Sequence, residues 1–117
     1  MLVDLGALDD FPDGDFKIVK VDGLEVGVVH WRGKFYALLN RCPDQDGPLC
    51  RGSIHPFLGY DEQHQAITAD EGRPIVSCPW HFWQFDVANG RGLRANARVK
   101  TYPVVERSGR ILLDIGR

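Results

Sequence analysis

The chain has 117 residues and a mass of 13.2 kDa, which is enough for one domain built on one core. Hydrophobic residues make up 44% and charged residues 26%, a balance that argues against wholesale disorder. Lys plus Arg number 14 against 16 Asp plus Glu, so the net charge of −2 excludes the basic excess or basic stripe of a nucleic-acid binder.

The N-terminal stretch from Met1 to Asp10 lacks a basic segment and carries Asp4, Asp9 and Asp10, so it is not read as a secretory signal. No apolar run approaches the roughly 18 residues of a membrane span, and the expected compartment is the cytosol. Phe16 to Val21 is rich in β-branched residues and ends at Asp22-Gly23, a hairpin signal. Leu24 to Trp31 follows, with Val26, Val28 and His30 on one side, and Arg32-Gly33-Lys34 turns the chain into a third apolar run, Phe35 to Asn40. These segments read as an antiparallel meander. From Arg41 to Ser77 the chain reads as irregular, interrupted by Pro43, Gly47, Pro48, Gly52, Pro56, Gly59, Gly72 and Pro74. Within it, Ala66 to Thr68 and Ile75 to Ser77 are candidates for short strands. Trp83 to Val87 predicts a strand closed by the Asn89-Gly90 turn. Val99 to Val105 and Ile111 to Ile115 predict a final pair joined through Ser108-Gly109. The reading is all-β, with no internal repeat and no linker.

Three cysteines, Cys42, Cys50 and Cys78, are an odd number, which disfavours a disulfide framework in a cytosolic chain. Metal ligation and plain burial remain. The neighbours of two of them favour metal. The first motif is Cys42-Pro43-Asp44-Gln45-Asp46-Gly47-Pro48-Leu49, and the second is Cys78-Pro79-Trp80-His81-Phe82-Trp83-Gln84-Phe85-Asp86. Each places a soft thiolate two or three residues before a second ligand, a spacing at which a tight turn aims both side chains at one centre. Thiolates select iron–sulfur clusters, zinc or copper(I). Two such loops together offer four candidate ligands: Cys42, Asp44, Cys78 and His81.

On these motifs the chain resembles the Rieske ferredoxins and Rieske-domain proteins, whose pattern is Cys-x-His followed later by Cys-x-x-His. Cys-Pro-Trp-His at residues 78 to 81 matches fully, as do Phe85-Asp86, Asn89-Gly90, Asn40-Arg41-Cys42-Pro43 and Gly47-Pro48-Leu49. The resemblance runs from the Phe16 strand to Ile115. It implies an antiparallel β-sandwich over residues 1–117 with a small cluster-binding subdomain at about 41–86. It also implies a 2Fe-2S cofactor and an electron carrier that is not itself a catalyst. The carrier would pass one electron from a ferredoxin reductase to a terminal oxygenase, with no nucleic acid or membrane as partner. In the family two cysteines hold one iron and two histidines the other. Carried over, Cys42 and Cys78 hold the inner iron and His81 the outer.

The departure is Asp44, which stands at the position of the family's first histidine. It either supplies a carboxylate oxygen to the outer iron or leaves that position open. An oxidised cluster with two thiolates and two imidazoles sums to about zero charge. With one carboxylate the sum is about −1, which lowers the potential. The Ser and Tyr that donate hydrogen bonds to the sulfurs in high-potential members correspond to Trp83 and Phe85, which points to the low-potential, oxygenase-ferredoxin type. The alternative is a cluster-free Rieske-like binding or structural subunit, empty or holding one metal such as zinc.

Four further residues complete this reading. His55 and His64 are expected to be solvated loop histidines, although either could replace the missing imidazole. His30 belongs to a sheet face. Cys50 lacks the pairing partner of respiratory-type members, because position 80 is Trp, and is expected to be a small buried residue. Trp80 and Trp83 are expected to shield the site. The extra segment from about Ile54 to Arg73, with Asp61, Glu62, Asp70 and Glu71, is expected to be a solvated loop rather than a docking surface.

Overall fold

A computed structural model describes residues 1–43, 47–80, 82–93 and 96–116. Ten strands form three antiparallel sheets, with two short 3-10 turns and no α-helix among the described residues. The strands are β1 Leu2–Ala7, β2 Phe16–Val21, β3 Leu24–Trp31, β4 Lys34–Leu39, β5 Ser53–Asp61, β6 Ala66–Ser77, β7 Gln84–Asp86, β8 Thr101–Tyr102, β9 Val104–Arg107 and β10 Arg110–Asp114. The expected all-β architecture is therefore present.

The meander forms as its turn residues dictate. Asp22-Gly23, Arg32-Gly33 and Ser108-Gly109 each join paired strands through two residues at positive φ, the turn whose twist matches that of the flanking strands. Strand order in the central sheet is β2-β3-β4-β8. Both faces of this sheet are covered. Val26, Val28 and Ala37 point to one core with Phe11, Tyr102, Ile111 and Leu113, which ties in the β1-β10-β9 sheet. Val29 and Leu38 point to the other core, together with Cys42, Leu49, Cys50, Val76, Cys78, Phe85, Val87 and Val99. The alternation of β3 thus supplies two cores at once.

Two sequence expectations are corrected. The segment expected from Val99 to Val105 is two strands. β8 joins the central sheet and β9 joins β10, and the chain changes sheets at Pro103, which has no N–H to give to either ladder. The stretch read as an irregular connection, including the supposed solvated loop from Ile54 to Arg73, is mostly one long hairpin, β5 with β6, which continues into β7. The two short strands expected at Ala66–Thr68 and Ile75–Ser77 are the ends of the single strand β6. Its prolines misled because Pro56 and Pro74 face each other beside a bulge, where a missing donor is tolerated. β1, which pairs with β10 along its length, carried no signal in the sequence reading.

Candidate metal centre

The first motif leaves β4 and closes on itself at once. The Cys42 N–H donates to the Gly47 carbonyl at 2.8 Å. Pro48 then leads into a 3-10 turn, Leu49–Arg51, whose first two residues are buried. Asn40 braces this loop from its base. Its Oδ1 accepts from the Cys50 N–H at 2.8 Å, its Nδ2 donates to Glu25 Oε1 at 3.2 Å, and its own N–H donates to the Glu25 carbonyl at 2.9 Å.

The second motif is built alike. β6 delivers Cys78, whose N–H donates to the Trp83 carbonyl at 2.8 Å, while the Phe82 N–H returns to the Cys78 carbonyl at 2.9 Å. Phe82 sits at φ 58°, a region that a bulky residue adopts only under constraint. The loop then enters β7, where Phe85 is fully buried.

The two loops meet. Cys42 and Cys78 are both fully buried, in one core cluster. A Cβ at Gly47 would lie 3.1 Å from Cys78 Sγ and 3.1 Å from the Trp80 ring, so glycine lets the first loop approach the second closely, and a side chain there would push these neighbours back by a few tenths of an ångström. None of the three cysteines is in a disulfide. The fold therefore brings together two soft donors held by short self-closed loops. Asp44 and His81, the other two expected ligands, lie outside the described residues.

The remaining candidates separate by position. Cys50 is buried, its thiol pushed up to about 12 by burial, which disfavours the thiolate a metal requires. His64 is exposed beside Asp61, its ring nitrogen 2.7 Å from Oδ2, in the turn at the far end of the hairpin. Eight steps of about 3.3 Å along β5 put that turn roughly 25 Å from the Ser77 end, too far to replace a ligand. His55 is not a solvated loop histidine: it is half-buried on β5. Its Nδ1–H donates to the Pro56 carbonyl at 2.8 Å, and its Nε2 lies 3.5 Å from the Ser77 hydroxyl, beside Cys78. His30 belongs to a sheet face, stacked on Phe35 at 4.4 Å and hydrogen-bonded through Nδ1 to the Phe11 carbonyl at 3.0 Å.

The family model described as Rieske [2Fe-2S] domain matches residues 1–103. The chain belongs to this family. As a Rieske protein it is 34% identical over 115 residues to the ferredoxin component of the naphthalene 1,2-dioxygenase/salicylate 5-hydroxylase systems of Ralstonia sp. That alignment covers 97% of this chain and 94% of the relative. The ferredoxin of carbazole 1,9a-dioxygenase from Nocardioides aromaticivorans IC177 superposes with a TM-score of 0.73 at 27% identity, covering 97% and 96% of the two chains. The fold is shared more widely. A chain named as an NADH-dependent nitrite reductase small subunit from Mycobacterium tuberculosis reaches a TM-score of 0.76 at 22% identity, covering 97% and 93%. The Ralstonia relative is named as a ferredoxin component and the Nocardioides neighbour as a ferredoxin, and this Rieske protein is an electron-transfer component rather than a catalyst in itself.

Several residues that hold the Rieske site together were not singled out from the sequence. Asn40 and Asp86 are the clearest. Asp86 is buried beyond the second loop, where its Oδ2 accepts from Arg73 Nε at 2.7 Å and its Oδ1 from the Ala88 N–H at 3.0 Å. Arg73 in turn lies over the Phe57 ring at 4.1 Å, so this pair fastens the hairpin to the strand that follows the cluster loop. Both residues sit inside the quoted motifs, but a polar residue next to a ligand motif carries no local sign of its partner. Trp83 packs against the core as expected. Trp80 contributes its ring to the Gly47 contact yet remains 51% exposed, and Phe82 is 75% exposed.

Proposed function

We propose that this chain carries one electron from a ferredoxin reductase to the terminal component of an oxygenase system, with a 2Fe-2S cluster held between the Cys42 and Cys78 loops. The observation that carries this reading is the meeting of the two loops. Two fully buried cysteines belong to one cluster, with Gly47 pressed against Cys78 Sγ. In this reading Cys42 and Cys78 hold the inner iron, and Asp44 and His81 hold the outer iron as an atypical ligand pair. When bound, the cluster supplies a site for one reversible electron. The chain's own residues do the rest. The backbone hydrogen bonds within each loop hold the ligands in place, and the apolar core around the cysteines keeps water from the sulfur side. Residues 41–86 serve as the cluster-binding subdomain of a single domain spanning 1–117, and the protein works in the cytoplasm.

The partners are those of the relatives, a reductase and an oxygenase. Trp80 and Phe82 form an exposed aromatic rim on the loop that carries His81, suited to contact with a protein partner. Iron and sulfide analysis of anaerobically prepared protein tests the proposal, with two irons and two sulfides per chain as the expected result. One zinc per chain and no sulfide would establish the other reading, a Rieske scaffold without a cluster. Asp44 in place of a histidine is the observation that favours it.

A further inference from the structure

The charges of this chain are unevenly placed. Between Asp86 and Glu106 the sequence holds Arg91, Arg94, Arg98 and Lys100 and no acid, although acids outnumber bases 16 to 14 over the whole chain. Part of this basic run adds an edge to the β5-β6-β7 sheet. Phe85 of β7 bridges to Gly92, and Arg91 bridges to Arg98, both antiparallel. The Asp86 N–H donates to the Arg91 carbonyl at 2.8 Å, the Leu93 N–H to the Gln84 carbonyl at 3.0 Å, and the Gly92 N–H to the Ala97 carbonyl at 2.9 Å. Gly90, at φ 76°, closes the base of this edge, because the Val99 carbonyl occupies the space a Cβ would need.

This pairing fixes where the two arginines lie. Leu93 is level with Gln84, the residue at which the Cys78 loop ends and β7 begins. Arg91 stands two residues further along, roughly 7 Å from that level at about 3.3 Å per residue. Arg98, directly opposite Arg91, has its side chain on the same face of the edge. Both are exposed, and together with Gly92, Asn96 and Ala97 they line a hollow. Like charges directly opposite each other destabilise a sheet. Neither guanidinium forms an ion pair or hydrogen bond among the described residues. Asp86, level with Arg91, is already held by Arg73 Nε at 2.7 Å and the Ala88 N–H at 3.0 Å. Two adjacent cations are thus kept unpaired beside the second cysteine loop.

We propose that Arg91 and Arg98 clamp carboxylates on an acidic surface of the redox partner, an inference that rests on the electron-carrier reading above. A guanidinium meets a carboxylate through two parallel hydrogen bonds, so adjacent arginines suit adjacent Asp or Glu side chains. The other charges of the chain decide between kinds of anion. A nucleic acid or an anionic membrane extends past the arginines and is repelled by a body of net charge −2. An acidic patch on a protein is local and can face the arginines alone. Attraction of this kind orients the encounter, and it presents the Cys78 loop, with its exposed Trp80 and Phe82, to the partner.

A gold electrode bearing a carboxylate-terminated monolayer is the probe, with adsorbed mass and voltammetric current both read on the full chain. The parent is expected to adsorb at about 0.01 M salt, to exchange electrons there, and to be released toward about 0.15 M, where the screening length is about 8 Å. Arg91→Gln with Arg98→Gln binds at least about fivefold more weakly, the loss expected of two exposed ion pairs. Lys34→Gln with Arg107→Gln removes the same charge from the start of β4 and the end of β9, and stays within about twofold of the parent. The arginine variant is also at least as stable to urea as the parent, because a like-charge pair has been relieved. Lower stability would make the pair structural and overturns the proposal, as does equal adsorption of the two double variants. Loss of binding to phosphatidylglycerol vesicles in the arginine variant, with carboxylate adsorption unchanged, overturns it in favour of a membrane. Iron-loaded protein that adsorbs through the arginines but passes no current overturns it too. Protein that adsorbs in this way yet holds no iron when prepared anaerobically removes the electron-carrier reading itself, and the redox partner with it.

Discussion

Gly27 lies directly beneath Cys50, so that a Cβ added at position 27 would overlap the thiol sulfur. The central strand β3 therefore carries a glycine where the 3-10 turn of the first loop rests on it. Gly27→Ala is expected to destabilise the fold by about 1–3 kcal/mol through overpacking. Cys50→Ala alone costs on the order of 1 kcal/mol and keeps the metal. In the double variant the Gly27→Ala penalty falls only in part, because the sulfur is gone but the Cβ of residue 50 still lies 2.5 Å from the added methyl, with Phe16 Cδ1 at 3.1 Å as a further neighbour. Urea denaturation of the four proteins measures the coupling, and strict additivity would show that the two residues do not share this space.

Cys50 also makes stability depend on alkaline pH. Its thiol rises from 9.0 unfolded to about 12 in the fold, chiefly by desolvation. Between these values the folded state holds a proton that the unfolded state has released. The contribution is thus fully present below pH 9 and is lost as pH rises toward 12, at up to about 1.4 kcal/mol per pH unit. Comparison of the parent with Cys50→Ala at pH 8, 9 and 10 should show a flatter decline in the variant. Parallel declines would mean that this thiol does not set the alkaline limb.

Cys78→Ser should abolish metal incorporation, because the second loop loses its soft donor. On the proposed ligand set the metal would also crosslink two loops that pack against each other around Gly47 and Gly52. Its loss lowers stability by at least about 1 kcal/mol, roughly 4 °C in Tm for a domain of this size. Elemental analysis with a thermal scan checks both outcomes. Unchanged metal content would remove Cys78 from the ligand set.

On the proposed ligand set, Asp44→His is expected to raise the reduction potential, since a neutral imidazole would replace a carboxylate at the outer iron. The parent's potential should lie at roughly −400 to −150 mV, lowered by the extra negative charge and by the lack of hydroxyl donors at Trp83 and Phe85. The two proteins can be compared by redox titration. Equal iron content and equal potential in both would place position 44 away from the cluster.

If the proposed ligand set holds, with one imidazole at the outer iron, the parent's potential should fall by no more than about 59 mV per pH unit, the one-proton, one-electron limit. A voltammetric series across pH 7 to about 11 tests this. A slope near twice that value requires a second titrating ligand. His55 is then the residue to mutate, because His64 sits at the far end of the hairpin.

The sequence by itself determined whatever depends on local backbone preference and on ligand chemistry. Asp22-Gly23, Arg32-Gly33 and Ser108-Gly109 announce their turns because residues at positive φ select that geometry wherever they occur. The two cysteine motifs announce a metal because few other reasons put soft donors at that spacing. Tertiary structure alone decided what depends on residues far apart in the chain. β1 is a strand because β10, more than a hundred residues later, offers it a partner. The Arg41–Ser77 stretch looked irregular because its prolines interrupt local periodicity. It is ordered because Pro56 and Pro74 meet at a bulge that Trp31 and Arg32 clamp from another sheet. Gly27 reads as a weak point in a strand until the fold sets Cys50 upon it, since the absence of a side chain acquires meaning only from the atom that fills its place.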